Sequence, residues 1–138
     1  MARIELMPWD KAHALASPIR FTVFVEEQGV PREIELDDQD PVSIHAIVFA
    51  QGKPVATGRL LPDGHIGRMA VLKEWRGRGI GALLLKSLMQ RAKERGDREI
   101  ALSAQVQAVP FYLNHGFVPE GDEYMEAGIR HQAMRRKL

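Results

Sequence analysis

The sequence predicts a single-domain α+β fold: a mixed, mostly antiparallel sheet of about seven strands with helices on both faces. Three observations predict it. Three β-rich runs separated by turn signals occupy residues 43–71, which reads as an antiparallel meander. An amphipathic helix over 79–95 then lies between two β-rich runs, so a parallel, right-handed strand–helix–strand unit follows the meander. The 138 residues leave room for one hydrophobic core and little more.

Taken in order, Ala2–Met7 alternates as a first strand. Ser17-Pro18 predicts a helix start, since serine supplies a cap oxygen and proline suits the first helical position. That helix is expected to run to about Gln28 and end at Gly29, with Pro31 beyond it. The acidic stretch after it reads as a short helix or turn. Ser43–Ala50 and Pro54–Leu61 form a hairpin about Gln51-Gly52-Lys53, and Pro62-Asp63-Gly64 turns the chain into a strand at His65–Val71. In the helix from Gly79 to Arg95, Ile80, Leu84, Leu88 and Ala92 recur every four residues, opposite Lys86, Gln90, Lys93 and Glu94. Gly96 stops it. Glu99–Gln105 is the next strand, Ala108–His115 a short helix closed by Gly116, and Phe117–Glu120 and Ile129–Arg136 the last strands.

Composition excludes several classes of function. Apolar residues make up 45% and charged residues 27%, as in an ordinary soluble domain. There is no cysteine, so disulfides and thiolate metal sites are excluded. The five histidines form neither an H-x-x-x-H pair nor a close cluster, and no metal site is expected. The net charge of +1 argues against nucleic acid as a partner. No apolar run approaches the ~20 residues needed to cross a bilayer, so no membrane association is expected. Met1 to Trp9 lacks the basic and apolar regions of a signal peptide, and a cytoplasmic location is the expectation. Charge is nevertheless uneven. Residues 26–40 hold seven acids and one base, whereas residues 68–98 hold nine bases and three acids. Two solvated faces, or separate sites for a cationic and an anionic ligand, both fit that split.

The sharpest local signal is Arg76-Gly77-Arg78-Gly79-Ile80-Gly81, which follows a strand and opens the clearest helix. Its glycines leave backbone N–H groups uncovered, the helix start adds unpaired donors and partial positive charge, and two arginines add full charge. Such a loop suits a phosphate or pyrophosphate. Gly77-Arg78-Gly79-Ile80-Gly81-Ala82 formally meets the dinucleotide pattern G-x-G-x-x-[GA]. Residues 72–76 separate it from the strand end, however, and Ser103-Ala104-Gln105 provide no acid to hold a ribose. A Walker loop is excluded because no Gly-Lys-Ser/Thr occurs. The loop also meets the pattern [QR]-x-x-G-x-[GA] through Arg76, Gly79 and Gly81.

With that second pattern the chain resembles the GNAT superfamily of N-acetyltransferases over essentially its whole length. Leu102–Gln105, then Pro110-Phe111-Tyr112 and Gly116-Phe117, resemble the later strand and helix of that family. Val23-Phe24-Val25-Glu26-Glu27-Gln28 with Pro31, and Gly128-Ile129-Arg130-His131, are similar to a small bacterial ElaA-like branch. The resemblance implies a sheet splayed between the strands at 65–71 and 99–105, with acetyl-CoA as cosubstrate. The pantetheine arm would lie in the opening, on backbone groups of Met69, Ala70 and Val71, and the pyrophosphate on Arg76 to Gly81. It also implies direct attack by a small-molecule amine in a ternary complex, and allows a homodimer.

Transfer to an amine needs a neutral nucleophile and a protonated leaving sulfur. An alkylamine titrates near 10.4 and a thiol near 8.5, so both proton movements call for a catalyst about neutral pH. Tyr112 matches the family's general acid; a core aromatic is the plainer reading. Glu27, at the end of the first helix, is the leading candidate base, and His45, Glu126 and His131 are others; a water chain would dispense with all four. His65 and His115 read as structural. Phe24, Glu26, Glu27, Gln28 and His131 are candidate acceptor-binding residues, and the acids at 26–40 favour a cationic acceptor. Ser103–Gln107 lacks the asparagine many relatives carry near that strand end. A non-catalytic acyl-CoA-binding module and an NAD(P)-binding oxidoreductase stand as alternatives.

Overall fold

A computed structural model describes residues 2–138, leaving Met1 outside the described residues. Strand β1 (Ala2–Pro8) leads into helix α1 (Trp9–Arg20), which continues as a π-helix over Phe21–Glu27. A short α2 (Arg32–Glu35) and a 3₁₀ turn (Asp40–Val42) precede the meander β2 (Ile44–Ala50), β3 (Lys53–Leu60) and β4 (His65–Val71). Helix α3 (Ile80–Glu94) crosses to β5 (Glu99–Gln105). The chain ends with α4 (Val109–Leu113), β6 (Val118–Pro119), β7 (Tyr124–Glu126) and β8 (Ile129–Lys137). The strand order is β1-β2-β3-β4-β5-β8-β6, with β7 paired to β8. Every pairing is antiparallel except β4 with β5.

Strand periodicity sets the two layers of helix. Successive side chains on β2 point to opposite faces. Ile47 packs with Ala12 and Ala16 of α1, whereas Ala46 and Val48 join Leu84, Leu85, Leu88 and Ala92 of α3. Helix α3 lies so close to the sheet that a Cβ at Gly58 would sit 3.1 Å from the Leu88 side chain.

The expected helix start at Ser17-Pro18 is corrected. Helix α1 begins nine residues earlier, at Trp9, and Pro18 lies inside it. Ala12, Ala16, Ile19 and Val23 are all buried at a spacing of four, three and four, straight through the proline. Burial of that stripe overrides the local start signal, and Pro18 forgoes one intrahelical hydrogen bond. The Ser17 hydroxyl caps nothing: it is buried without a partner.

Two irregularities shape the middle of the sheet. Thr57 pairs with Ala70 and Arg59 with Gly67, so Arg68 and Met69 together oppose Gly58 in a β-bulge. Arg68 carries the strain, with φ of 50°. Ahead of the bulge, β4 and β5 pair only at His65–Ala101 and Ile66–Leu102 and then separate, so the sheet is splayed from there on.

Strand β7 was not foreseen. Ala127 and Gly128, both at positive φ (52° and 77°), close a two-residue hairpin between Glu126 and Ile129. Positive φ at both central residues is the geometry of the tight hairpin turn. Alanine in place of asparagine or aspartate conceals it from sequence inspection.

Candidate active site

The gap between β4 and β5 opens into a cavity of about 560 Å³. Of the residues expected to serve a site, Met69, Tyr112, Phe24, Gln28 and His131 line it. Glu126, one of the alternative bases, lines it as well. Ala70 turns its side chain into the core and is 2% exposed, so only its backbone can serve a ligand.

Residues 76–81 form a separate feature beyond the end of β4. Gly79 is the N-cap of α3 with φ of 80°, and Gly77 has φ of 76°. No side chain caps the helix, so its first amides stay free. A Cβ at Gly77 or Gly79 would meet nothing within 4 Å, so glycine is needed there for the backbone angle and the surface above stays open. Arg78 lies over the Trp75 ring at 4.7 Å. Arg76 donates to the Val71 carbonyl at 2.9 Å and pairs with both oxygens of Glu27 at 3.0 and 2.8 Å. The Ile80 side chain is buried in the core, so only its backbone amide could face a ligand. Positive charge, free amides and glycine backbone together fit a diphosphate.

Tyr112 projects from α4 toward β4, and its hydroxyl lies 3.8 Å from the Met69 sulfur across the gap. Burial pushes this phenol up to about 12, so it stays protonated at any physiological pH. Its ring packs edge-on against Phe111 and Phe117.

The candidate bases separate clearly. Glu27 is not among the cavity-lining residues and is held by Arg76, and Glu26 does not line the cavity either. His45 is 1% exposed and hydrogen-bonded to the Asp40 carbonyl at 2.9 Å, out of reach of any acceptor. Burial, with the charges of Arg20 and Arg59, holds its imidazole below the usual range. His131 lies on β8, opposite Gln105 of β5, with Glu126 3.7 Å from its Nε2. His65 sits at the cavity rim and pairs with Asp63, whereas His115 bonds to the Phe111 carbonyl.

Sequence inspection missed a group of arginines that answers the acidic segment. Arg20 binds Glu35 and Asp40, both at 2.8 Å. Arg59 binds Asp37 at 2.7 Å and Asp40 at 2.9 Å. Arg68 donates to the carbonyls of Ile34 and Glu35 and to Asp37 at 3.1 Å. Three carboxylates thus meet three guanidiniums in one cluster, of which Glu35, Asp37, Arg59 and Arg68 line the cavity. Burial alone would raise the Asp37 and Asp40 carboxyls, but the arginines outweigh it and hold both below the usual range. The charge of Glu35, Asp37 and Asp40 is therefore not free to attract a cation. Glu126 is the cavity-lining acid without an arginine partner among the described residues.

No cluster among the described residues could hold a metal ion, and no helix among them is long and apolar enough to cross a membrane.

Comparison with known proteins agrees with this geometry. Residues 14–138 match the family model described as acetyltransferase (GNAT) domain. The chain is 41% identical to the uncharacterized N-acetyltransferase YjcF of Bacillus subtilis over 122 residues, covering 86% of this chain and 87% of that protein. It is 30% identical to the protein ElaA of Escherichia coli over 128 residues, covering 87% and 84%. Among solved structures, an acyl-CoA N-acyltransferase from Pseudomonas aeruginosa superposes with a TM-score of 0.88 at 30% identity, covering 99% of each chain. With its splayed sheet and its glycine-rich loop at the start of α3, the chain belongs to the GNAT family of N-acetyltransferases, in the ElaA-like branch.

Proposed function

We propose that the protein transfers an acetyl group from acetyl-CoA to the amine of a small acceptor by direct attack in a ternary complex. Family membership carries the coarser part, acyl transfer from acyl-CoA. The observation that best supports the finer part is the gap itself: beyond Ile66 and Leu102 the facing edges of β4 and β5 have no partner strand on that side. An extended chain bearing amides, such as pantetheine, can pair with such an edge, and one N–H from Met69 to Val71 can receive the thioester oxygen as it gains charge. The loop at 76–81 suits the diphosphate and Tyr112 suits the departing sulfur. The amine is cationic in solution near neutral pH, and Glu126 offers it an unmatched carboxylate at the cavity.

A thermal-shift titration tests this reading. Acetyl-CoA at 100 times its Kd adds about 2.7 kcal/mol to the native state. With an unfolding entropy of roughly 290 cal/mol/K for 138 residues, the melting temperature rises by about 9 °C. Gly79→Glu, which sets a carboxylate where the diphosphate belongs, is expected to abolish the shift. No shift with acetyl-CoA, or an equal one with NAD⁺ or ATP, refutes the donor assignment.

A further inference from the structure

We infer that His131 is the general base that takes the acceptor's proton, with Glu126 stabilising the imidazolium that results; this rests on the acyl-transfer reading above. The tautomer follows from one contact. His131 Nδ1 lies 2.7 Å from the Ile129 carbonyl oxygen. A carbonyl only accepts, so Nδ1 carries the hydrogen, and the neutral ring keeps its lone pair on Nε2. Nothing among the described residues donates to that lone pair. The Glu126 carboxylate lies 3.7 Å from Nε2, too far to hydrogen-bond to it, so that nitrogen is left open to an acceptor's proton.

The ring is also held and correctly located. His131 is 7% exposed, yet it borders the cavity. Tyr124 stacks on it with centroids 6.0 Å apart and planes inclined by 23°, and the Tyr124 hydroxyl contacts Ser103 of β5. Strand β8 pairs with β5 so that His131 faces Gln105, the last residue of β5. Just beyond that strand end, α4 carries Tyr112 to the same cavity. A basic nitrogen and a phenol hydroxyl thus share one cavity beside the gap. Other carboxylates are engaged: Glu27 by Arg76, and Glu35 and Asp37 by the arginine cluster.

The reaction then balances. The amine nitrogen attacks the thioester carbonyl carbon, forming the C–N bond and breaking the C–S bond. A cationic acceptor first gives one proton to His131 Nε2, which passes it to solvent. The proton that the attacking nitrogen still sheds as the C–N bond forms goes to the same Nε2, and the sulfur's proton comes from the Tyr112 hydroxyl. Imidazolium and phenolate return to their resting forms through solvent.

The test uses the full chain with acetyl-CoA and two probe acceptors. n-Butylamine is protonated at neutral pH and needs a base; hydroxylamine is small and already unprotonated there. CoA release is measured for wild type, His131→Gln, His131→Ala and Glu126→Gln, with acetyl-CoA affinity and melting temperature as controls. A loss of about 10²- to 10⁴-fold in kcat is expected for His131→Gln on butylamine, with acetyl-CoA affinity unchanged. A smaller loss is expected on hydroxylamine, recovery of His131→Ala by added imidazole, and an intermediate loss in Glu126→Gln. A His131→Gln protein within threefold of wild type overturns the assignment. So does an equal loss on both probes without imidazole recovery, which marks a structural role. Failure of wild type to bind acetyl-CoA defeats the acyl-transfer reading itself, and this inference with it.

Discussion

Asp40→Asn tests whether the buried ion cluster holds the first helix to the cavity floor. The Asp40 side chain is 2% exposed and accepts from Arg20 at 2.8 Å and from Arg59 at 2.9 Å. The substitution leaves two carboxylates, Glu35 and Asp37, against three guanidiniums, an unbalanced positive charge in a buried site. Removing one partner of a buried ion pair costs about 3–5 kcal/mol, far more than the net worth of the pair, because the remaining charge stays desolvated. Divided by an unfolding entropy of roughly 290 cal/mol/K for 138 residues, that is a fall of about 10–17 °C in melting temperature. Calorimetry and urea titration at pH 7 measure it, with Asp38→Asn, an exposed neighbour, expected to stay within about 0.5 kcal/mol. The pH dependence gives a second reading. Because the folded Asp40 carboxyl lies below its unfolded value, its contribution is complete above the ordinary carboxylate range and is lost as pH falls through the folded value. The variant lacks that contribution, so its stability falls less steeply in acid. A cost under about 1 kcal/mol, with an unchanged acid limb, would show that water screens the cluster and refute the reasoning.

Other expectations concern the site. Glu27→Gln removes a partly exposed pair with Arg76, so stability should change by no more than about 1 kcal/mol. The freed guanidinium should lower KM for acetyl-CoA; a large fall in kcat with KM unchanged would instead make Glu27 the base. In Tyr124→Phe protein the remaining phenol is Tyr112, and its ultraviolet titration should be centred near pH 12, not near 10. Since that folded value is raised, its stabilising share is intact below the unfolded value of about 10 and disappears as pH rises toward 12, about 2.7 kcal/mol in all at 1.36 kcal/mol per unit. A Tyr112→Phe protein with the same alkaline limb as wild type would contradict this.

What could be read in the sequence was local chemistry. The loop at 76–81 needs only glycines, arginines and a helix start within six residues. Helix α3 needs only its own four-residue spacing. The contacts that sort the acidic segment are remote: Arg20, Arg59 and Arg68 stand 15 to 34 residues from the groups they bind. Glu27 and Arg76 are 49 residues apart. Counting acids along the chain therefore overstated the charge available to a ligand. The Ser17-Pro18 signal failed for a related reason, since a buried stripe that begins at Ala12 outweighs one cap. The choice among Glu27, His45, Glu126 and His131 needed the register of β8 and the Ala127-Gly128 turn, neither of which composition reveals.

An open sheet has two outer borders; this one has two more inside it, where β4 and β5 part. Unpaired strand borders invite other chains to add to them, the route by which many β proteins aggregate. Here the inner borders face each other within a cavity, so a folded neighbour cannot lie along them and only a slender chain can enter. The fold thus keeps a row of main-chain donors and acceptors available without presenting them to other proteins. Because that row belongs to the backbone, substitutions at most side chains leave it intact. Relatives can diverge widely in the cavity wall, and in what they admit there, while the opening between the strands persists.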